Sequence, residues 1–233
     1  MNRLLFHIMN LNKNYTVGGL FSGVGGIELG FEQAGFKTLW ANEFDKYSAK
    51  TYRLNNNHLI EDDIHLLQGK DLQPVDILTG GFPCQAFSVA GYRKGFRDPR
   101  GNLFFEIARL IEELDSPPKA IMLENVKGLS SHDKGKTAEV IKDTLRVLGY
   151  SVFWNILNTS ELTNVPQNRE RTIIIGFKDE AGWQDSKDIE FPLASTNFDA
   201  IYPPKNKKKN RSIRDLLETD VDEKYYYGPD KYM

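Results

Sequence analysis

Short apolar runs rich in β-branched residues alternate with amphipathic stretches of helical length along most of this chain, and that alternation leaves few folds open. Strands are expected over 16–21 (TVGGLF), 36–43, 75–81, 119–125, 151–158 and 171–177. Helices are expected over 26–36, with Gly35 as a stop, and over 44–55, 102–114 and 137–149. Buried-looking strands separated by helices imply an α/β fold, a mostly parallel sheet with helices on both faces. Ligands of such sheets sit beyond the carboxyl ends of the strands. The unusual residues of this chain gather there, after residues 21, 41, 80 and 123.

The pattern stops near residue 178. Residues 1–15 read as a flexible lead-in, or as an extension ahead of an alternative start near Met9, without the small-residue cleavage site of a signal peptide. Residues 16–178 form the expected cofactor-binding and catalytic domain. Residues 179–233 read as an irregular tail with one short helix at 213–218.

The single cysteine among 233 residues excludes an internal disulfide and a cysteine-based metal cluster, and it suits a reducing cytoplasm. No metal site is expected. No apolar run reaches membrane-spanning length. A net charge of −2 offers no general attraction for a polyanion. Contacts to nucleic acid would therefore fall to local groups: Arg93, Lys94, Arg97 and Arg100; Arg169 and Arg171; and the run from Lys205 to Arg211.

Four features suggest chemistry. The first is the loop LFSGVGGIELGF, which sets Gly23, Gly25 and Gly26 between a strand and a helix. Glycine permits sharp turns and close approach, and a helix N-terminus offers N–H groups. A dinucleotide fingerprint counted from Gly23 would need a sixth-place glycine where Glu28 stands, so a nucleoside cofactor without a pyrophosphate fits better. Glu43, 20 residues beyond Gly23 at a strand end, can accept ribose hydroxyls. The second feature is Cys84 in GGFPCQ, just past a strand end, where a thiolate can act as a nucleophile. The third is Glu124 in LENV, an acid at the next strand end that desolvation could hold protonated as a proton donor. The fourth is the pair Arg169 and Arg171, which strand alternation would point the same way, toward an anion or a carbonyl edge. Between Ser88 and Asn102 lies a long Gly- and Arg-rich connection suited to a binding loop.

LFSGVGGIELGF, NEFDKYSAKTY, GGFPCQAFSVAG, FRDPRGNLFFEIAR, MLENVKGL and PQNRERTIIIGF, in this order and spacing, closely resemble the successive blocks of the DNA (cytosine-5) methyltransferases. The resemblance runs from about Thr16 to Phe177 and implies a Rossmann-like S-adenosylmethionine-dependent methyltransferase fold. It implies that Phe21, Gly23, Val24 and Gly25 cradle S-adenosylmethionine, Glu43 takes its ribose and Phe44 packs on its adenine. Asp63 and Ile64 match the adenine-reading acid and the apolar residue after it, in a register uncertain by one because Asp62 precedes. Pro83 and Leu103 border the methyl donor. Cys84 would attack C6 of a flipped cytosine, Glu124 would hold N3 and the amino group, Arg171 the O2 side, and Arg169 would shape the site. Ser88, Arg97 and Arg100 fall to DNA binding. The products would be 5-methylcytosine and S-adenosylhomocysteine, in a cytoplasmic, nucleoid-associated enzyme of restriction-modification type.

The family's target-recognition region and final blocks are not found after KYYYGPDKYM. The expectation is a split enzyme whose second polypeptide supplies recognition of double-stranded DNA and a last helix, or a fragment, with weak or absent activity for this chain alone. Two other readings remain open on the residues: a tRNA cytosine-5 methyltransferase, and a catalytically silent DNA-binding subunit.

Overall fold

The computed structural model describes residues 15–83, 103–163 and 165–178, together with Ser212, Arg214 and Asp222. Two compact units separate among them. One takes residues 15–156 and 171–178; the other takes 157–163, 165–170 and the three isolated residues.

The elements run β1 (Thr16–Leu20), α1 (Gly26–Gln33), β2 (Lys37–Asn42), α2 (Lys46–Asn55), β3 (Leu59–Ile60), β4 (Ile77–Gly80), α3 (Leu103–Glu113), β5 (Ala120–Val126), α4 (Lys136–Val147), β6 (Tyr150–Asn158), α5 (Thr159–Leu162) and β7 (Glu170–Lys178). Seven strands form one sheet in the order β3-β2-β1-β4-β5-β7-β6. The pairings β2–β3, β1–β2, β1–β4 and β4–β5 are parallel, and β7 is antiparallel to β5. The mostly parallel sheet expected from sequence is therefore present. Running antiparallel to β5, β7 enters the sheet from the end at which the site lies.

The strands form where β-branched and apolar residues are buried on the sheet. Leu20, Leu78, Ile121, Leu123 and Ile174 are each at most 1% exposed. Helix α3 buries Phe104, Ile107, Leu110 and Ile111 at helical spacing into the same core. Helix α2 begins two residues later than expected because Asp45 caps it, its carboxylate accepting from the Tyr47 and Ser48 amides. The short β3 and α5 had not been expected. The expected helix at 213–218 lies, Arg214 apart, outside the described residues.

Register fixes which residues meet at the carboxyl end of the sheet. Leu20 pairs with Gly80, and Gly80 with Leu123. The chain therefore leaves β1 at Phe21, leaves β4 at Gly81 and reaches Glu124 on β5 at one level.

Candidate active site

Strand order reverses at β1, which has β2 on one side and β4 on the other. The carboxyl ends of strands flanking such a reversal border a crevice. An ideal Cβ placed on Gly81 would lie 3.7 Å from Glu124 Oε2 and 3.9 Å from the Phe21 carbonyl oxygen, so three strand ends converge here.

The loop after β1 is built from uncommon backbone. Phe21 has φ of 55°, the left-handed region, which costs a non-glycine residue about 1–2 kcal/mol. Gly23 and Gly25 follow at 56° and 94°. A Cβ on Gly25 would also come within 3.0 Å of the Tyr52 ring. Strain of this kind at a strand end marks a loop shaped for a ligand. Hydrogen bonds hold it: the Ser22 amide donates to the Asn42 carbonyl at 3.0 Å, and the Gly25 amide to the Ser22 carbonyl at 2.8 Å. From β2, Glu43 Oε2 accepts from the Gly23 amide at 2.7 Å, and Oε1 from the Asp45 amide at 2.7 Å. Each carboxylate oxygen has two lone pairs, so a diol can still be accepted. Beside it Phe44 is 70% exposed and Val24 is 56% exposed, large apolar groups at the loop's rim.

Asn42, buried at the end of β2, donates to the carbonyls of Ile60 (3.2 Å) and Asp62 (2.8 Å) and so fixes the next turn. Asp63 caps the 3-10 turn Ile64–Leu66. Its Oδ1 accepts from the His65 amide at 3.0 Å and lies 2.6 Å from His65 Nδ1. The backbone hydrogen bond, then the imidazole contact, hold the Asp63 carboxyl below the usual range. Ile64 is buried, while Asp62 is exposed with its Oδ1 accepting from the Asp63 amide.

Sequence reasoning missed what holds this turn in place. Arg109 of α3 donates to the carbonyls of Ile64 and Leu67, both at 3.0 Å. It is anchored by Glu106 (2.7 Å) and by Glu113 (2.8 Å), which also accepts from the Gly69 amide at 2.9 Å. The signal was Glu at i−3 and i+4 of an arginine on an amphipathic helix. Arg109→Ala is expected to lower stability by about 2–3 kcal/mol by stranding two acids and two carbonyls. Arg109→Lys should restore only part, because an ammonium lacks the planar fork. Urea unfolding of both variants checks this.

From β7, Arg171 Nε donates to Glu124 Oε1 on β5 at 2.9 Å, with the two side chains 26% and 25% exposed. A guanidinium is thus one partner of Glu124, beside the desolvation that sequence reasoning had considered for this acid. The next residue, Asn125, is 2% exposed. Its Nδ2 donates to the Phe82 carbonyl at 2.7 Å, two residues before Cys84. Asn125 is a second group that sequence reasoning passed over; its place directly after the acid was the available signal. Phe82 is buried against Phe104, with ring centroids 5.7 Å apart, and Pro83 is exposed. Leu103, half-buried, starts α3.

Arg169 is not on the strand with Arg171. It lies in the second unit, in the stretch before β7, where its carbonyl accepts from the Thr159 amide at 3.0 Å. Strand alternation begins only at Glu170, so it does not govern Arg169. Cys84, Ser88, Arg97 and Arg100 lie outside the described residues. Among the described residues no group of His, Cys, Asp and Glu could hold a metal ion, and no helix is long and apolar enough to cross a membrane.

The type II methyltransferase M.Bsp6I of Bacillus sp. (strain RFL6) is 44% identical to this chain over 220 residues, 92% of this chain and 64% of the relative. M.SsoII of Shigella sonnei is 43% identical over 93% of this chain and 53% of its own length. The chain thus spans a little over half to just under two thirds of these relatives. Among solved structures, the Dnmt2 methyltransferase of S. pombe superposes with a TM-score of 0.69 at 25% identity, covering 91% of this chain and 63% of that one. The C-5 cytosine-specific DNA methylase family model matches residues 15–233, past the six blocks and through the tail, and the chain belongs to that family.

Proposed function

We propose that this chain carries the catalytic region of an enzyme that transfers a methyl group to C5 of a flipped-out cytosine in double-stranded DNA. The observation that carries the reading is the convergence of the strained glycine loop, the Glu43 carboxylate and the Glu124–Arg171 pair at one end of the sheet. Relatives named as type II methyltransferases support it and a restriction-modification setting; a cytoplasmic, nucleoid-associated location is part of the same proposal.

The residues fit S-adenosylmethionine. The loop Phe21–Gly25 has no bulky side chain at Gly23, where a Cβ would meet nothing within 4 Å, so a ligand can lie against its backbone. Glu43 would take the ribose hydroxyls, exposed Phe44 one face of the adenine, and Asp63 with Ile64 its amino edge. Pro83 and Leu103 would border the methyl donor. When bound, the cofactor supplies a methyl group from its sulfonium and leaves as S-adenosylhomocysteine.

C6 of cytosine is unreachable in a stacked pair, so the base must first leave the helix at a cost of a few kcal/mol. Cys84 as thiolate then forms a bond to C6, and the ring's electron pair moves toward C5 and N3. Glu124 places a proton at N3 and accepts from the exocyclic amino group, which stabilises that charge. Arg171 orients the Glu124 carboxyl and reaches the O2 side, and Arg169 keeps the site-shaping role that the family resemblance implies for it. Electron-rich C5 takes the methyl. A base then removes the C5 proton, the pair re-forms the ring double bond, and the thiolate leaves. Ser88, Arg97 and Arg100 would hold the DNA backbone. Recognition of the target sequence would come from a second polypeptide or from the part of the relatives that this chain does not span.

The test is methyl transfer to duplex DNA and to tRNA by this chain, with and without a polypeptide supplying the remaining family blocks. Cytosine-5 methylation of DNA by the combination supports the reading, and methylation confined to tRNA overturns the choice of substrate.

A further inference from the structure

Glu28, the residue at which the dinucleotide fingerprint fails, is the only buried residue among the eight of α1, with 1% of its surface exposed. Its carboxyl lies beneath the glycine loop. Oε1 accepts from Ser22 Oγ at 2.7 Å, and an ideal Cβ on Gly19 of β1 would lie 2.0 Å from that oxygen. The acid therefore occupies space that exists only because β1 carries glycine there. Ser22 is itself buried and is the keystone of the loop: its amide donates to the Asn42 carbonyl, and its carbonyl accepts from the Gly25 amide. Glu28 Oε2 is buried with no hydrogen-bond partner among the described residues.

A carboxylate in this place would leave a charged oxygen without donors, which is far costlier than a neutral carboxylic acid. Burial accordingly pushes the Glu28 carboxyl above the usual range, against the opposing pull of the Ser22 hydroxyl. The titratable groups acting on it add no positive charge. They are Glu32 one turn along α1, Glu43 beyond β2 and Tyr52 of α2.

We propose that Glu28 is a positioning residue for cofactor capture: wedged against Gly19, its carboxyl holds Ser22 and through it the loop Phe21–Gly25 in binding-ready shape, and a charge on this carboxyl, whose Oε2 has no donor to satisfy it, opens the packing beneath the loop and weakens cofactor binding. The inference rests on reading the loop as the S-adenosylmethionine site. It differs from the roles of Glu43 and Asp63, which would touch the cofactor, because Glu28 acts from behind the loop.

The sign follows from linkage. The folded chain holds this proton more tightly than the unfolded chain, whose glutamate titrates near 4.5. The stabilisation is complete below that value and is lost as pH rises through the folded value. Cofactor affinity should fall over the same upper range, by at most about tenfold per pH unit for one linked proton. Glutamine cannot ionise, so Glu28→Gln should remove the slope.

Calorimetric titration with S-adenosylhomocysteine, alongside thermal melting, would be run on the unaltered chain, Glu28→Gln and Ser22→Ala from pH 4.5 upward through the whole range in which the unaltered chain stays folded. The unaltered chain should lose affinity and melting temperature toward high pH. Glu28→Gln should bind within about threefold of it at the low end, and both its profiles should be flatter. Ser22→Ala should bind about tenfold more weakly, by loss of a buried hydrogen bond. Binding and melting profiles of Glu28→Gln that follow those of the unaltered chain overturn the inference and leave the cofactor reading intact. An unaltered chain that binds no S-adenosylhomocysteine overturns the cofactor reading and this inference with it. Should Ser22→Ala fail to fold, the near-isosteric Glu28→Gln still decides.

Discussion

Turnover is expected to vanish when Cys84 is replaced by serine in the complete enzyme, with a loss of roughly 10⁴–10⁶-fold and S-adenosylhomocysteine binding kept within about twofold. A serine hydroxyl remains protonated at neutral pH and is far less nucleophilic than a thiolate, so the bond to C6 does not form. The cofactor contacts proposed above come from the loop after β1, from Glu43 and Phe44 after β2, from the Asp63 turn and from Pro83 and Leu103, and none of these residues is altered. Methyl transfer to duplex DNA and calorimetry on the same preparations give the two numbers. DNA with 5-fluorocytosine at the target provides an independent readout. Attack and methylation proceed, but C5 then bears no proton to remove, and a protein–DNA adduct accumulates that denaturing electrophoresis detects. No adduct should form with the serine variant. Retention of more than about one per cent of turnover by that variant would remove Cys84 from the reaction.

Glu124→Gln should lower kcat by about 10²–10⁴-fold, the range for loss of a positioned acid. The amide keeps the shape and can still accept a hydrogen bond from the exocyclic amino group, but it has no carboxyl proton to place at N3. Arg171 donates to the same carboxyl, so the two residues act as a unit. Arg171→Ala alone should also be strongly impaired, and the double variant should be little worse than the worse single variant. A double-mutant cycle on single-turnover rates measures this. Losses that multiply would show that Arg171 contributes independently, for instance only through the O2 side of the base. Cofactor affinity should change little in any of the three, which separates a catalytic defect from a folding one.

The sheet could be read from sequence because its strands carry long apolar runs. ILTG and AIMLEN announce themselves by β-branched and buried side chains. The strand at Leu59–Ile60 did not, since two residues amid asparagines and acids carry no period. The glycine loop was legible because backbone of positive φ demands glycine, yet Phe21 adopts the same region and no sequence rule for phenylalanine predicts that. Glu124 was found as an acid ending an apolar strand. Its guanidinium partner depended on β7 running antiparallel, a pairing that local pattern does not specify. Glu28 entered the sequence reading only as the place where the dinucleotide fingerprint fails, and it is the missing side chain of Gly19 on another element that makes room for it. For Arg169 alternation was no guide, because the strand starts one residue later, at Glu170.

The amide of Asn125 has a consequence for how such enzymes can be recombined. By gripping the Phe82 carbonyl it ties the residues just before Cys84 to β5, the strand that carries Glu124. Chimaeras that join the first four strands of one relative to the fifth strand of another must conserve that grip, whatever else differs between the parents. Swaps made beyond Lys178, the last residue of β7, leave that hydrogen bond and the Glu124–Arg171 pair untouched.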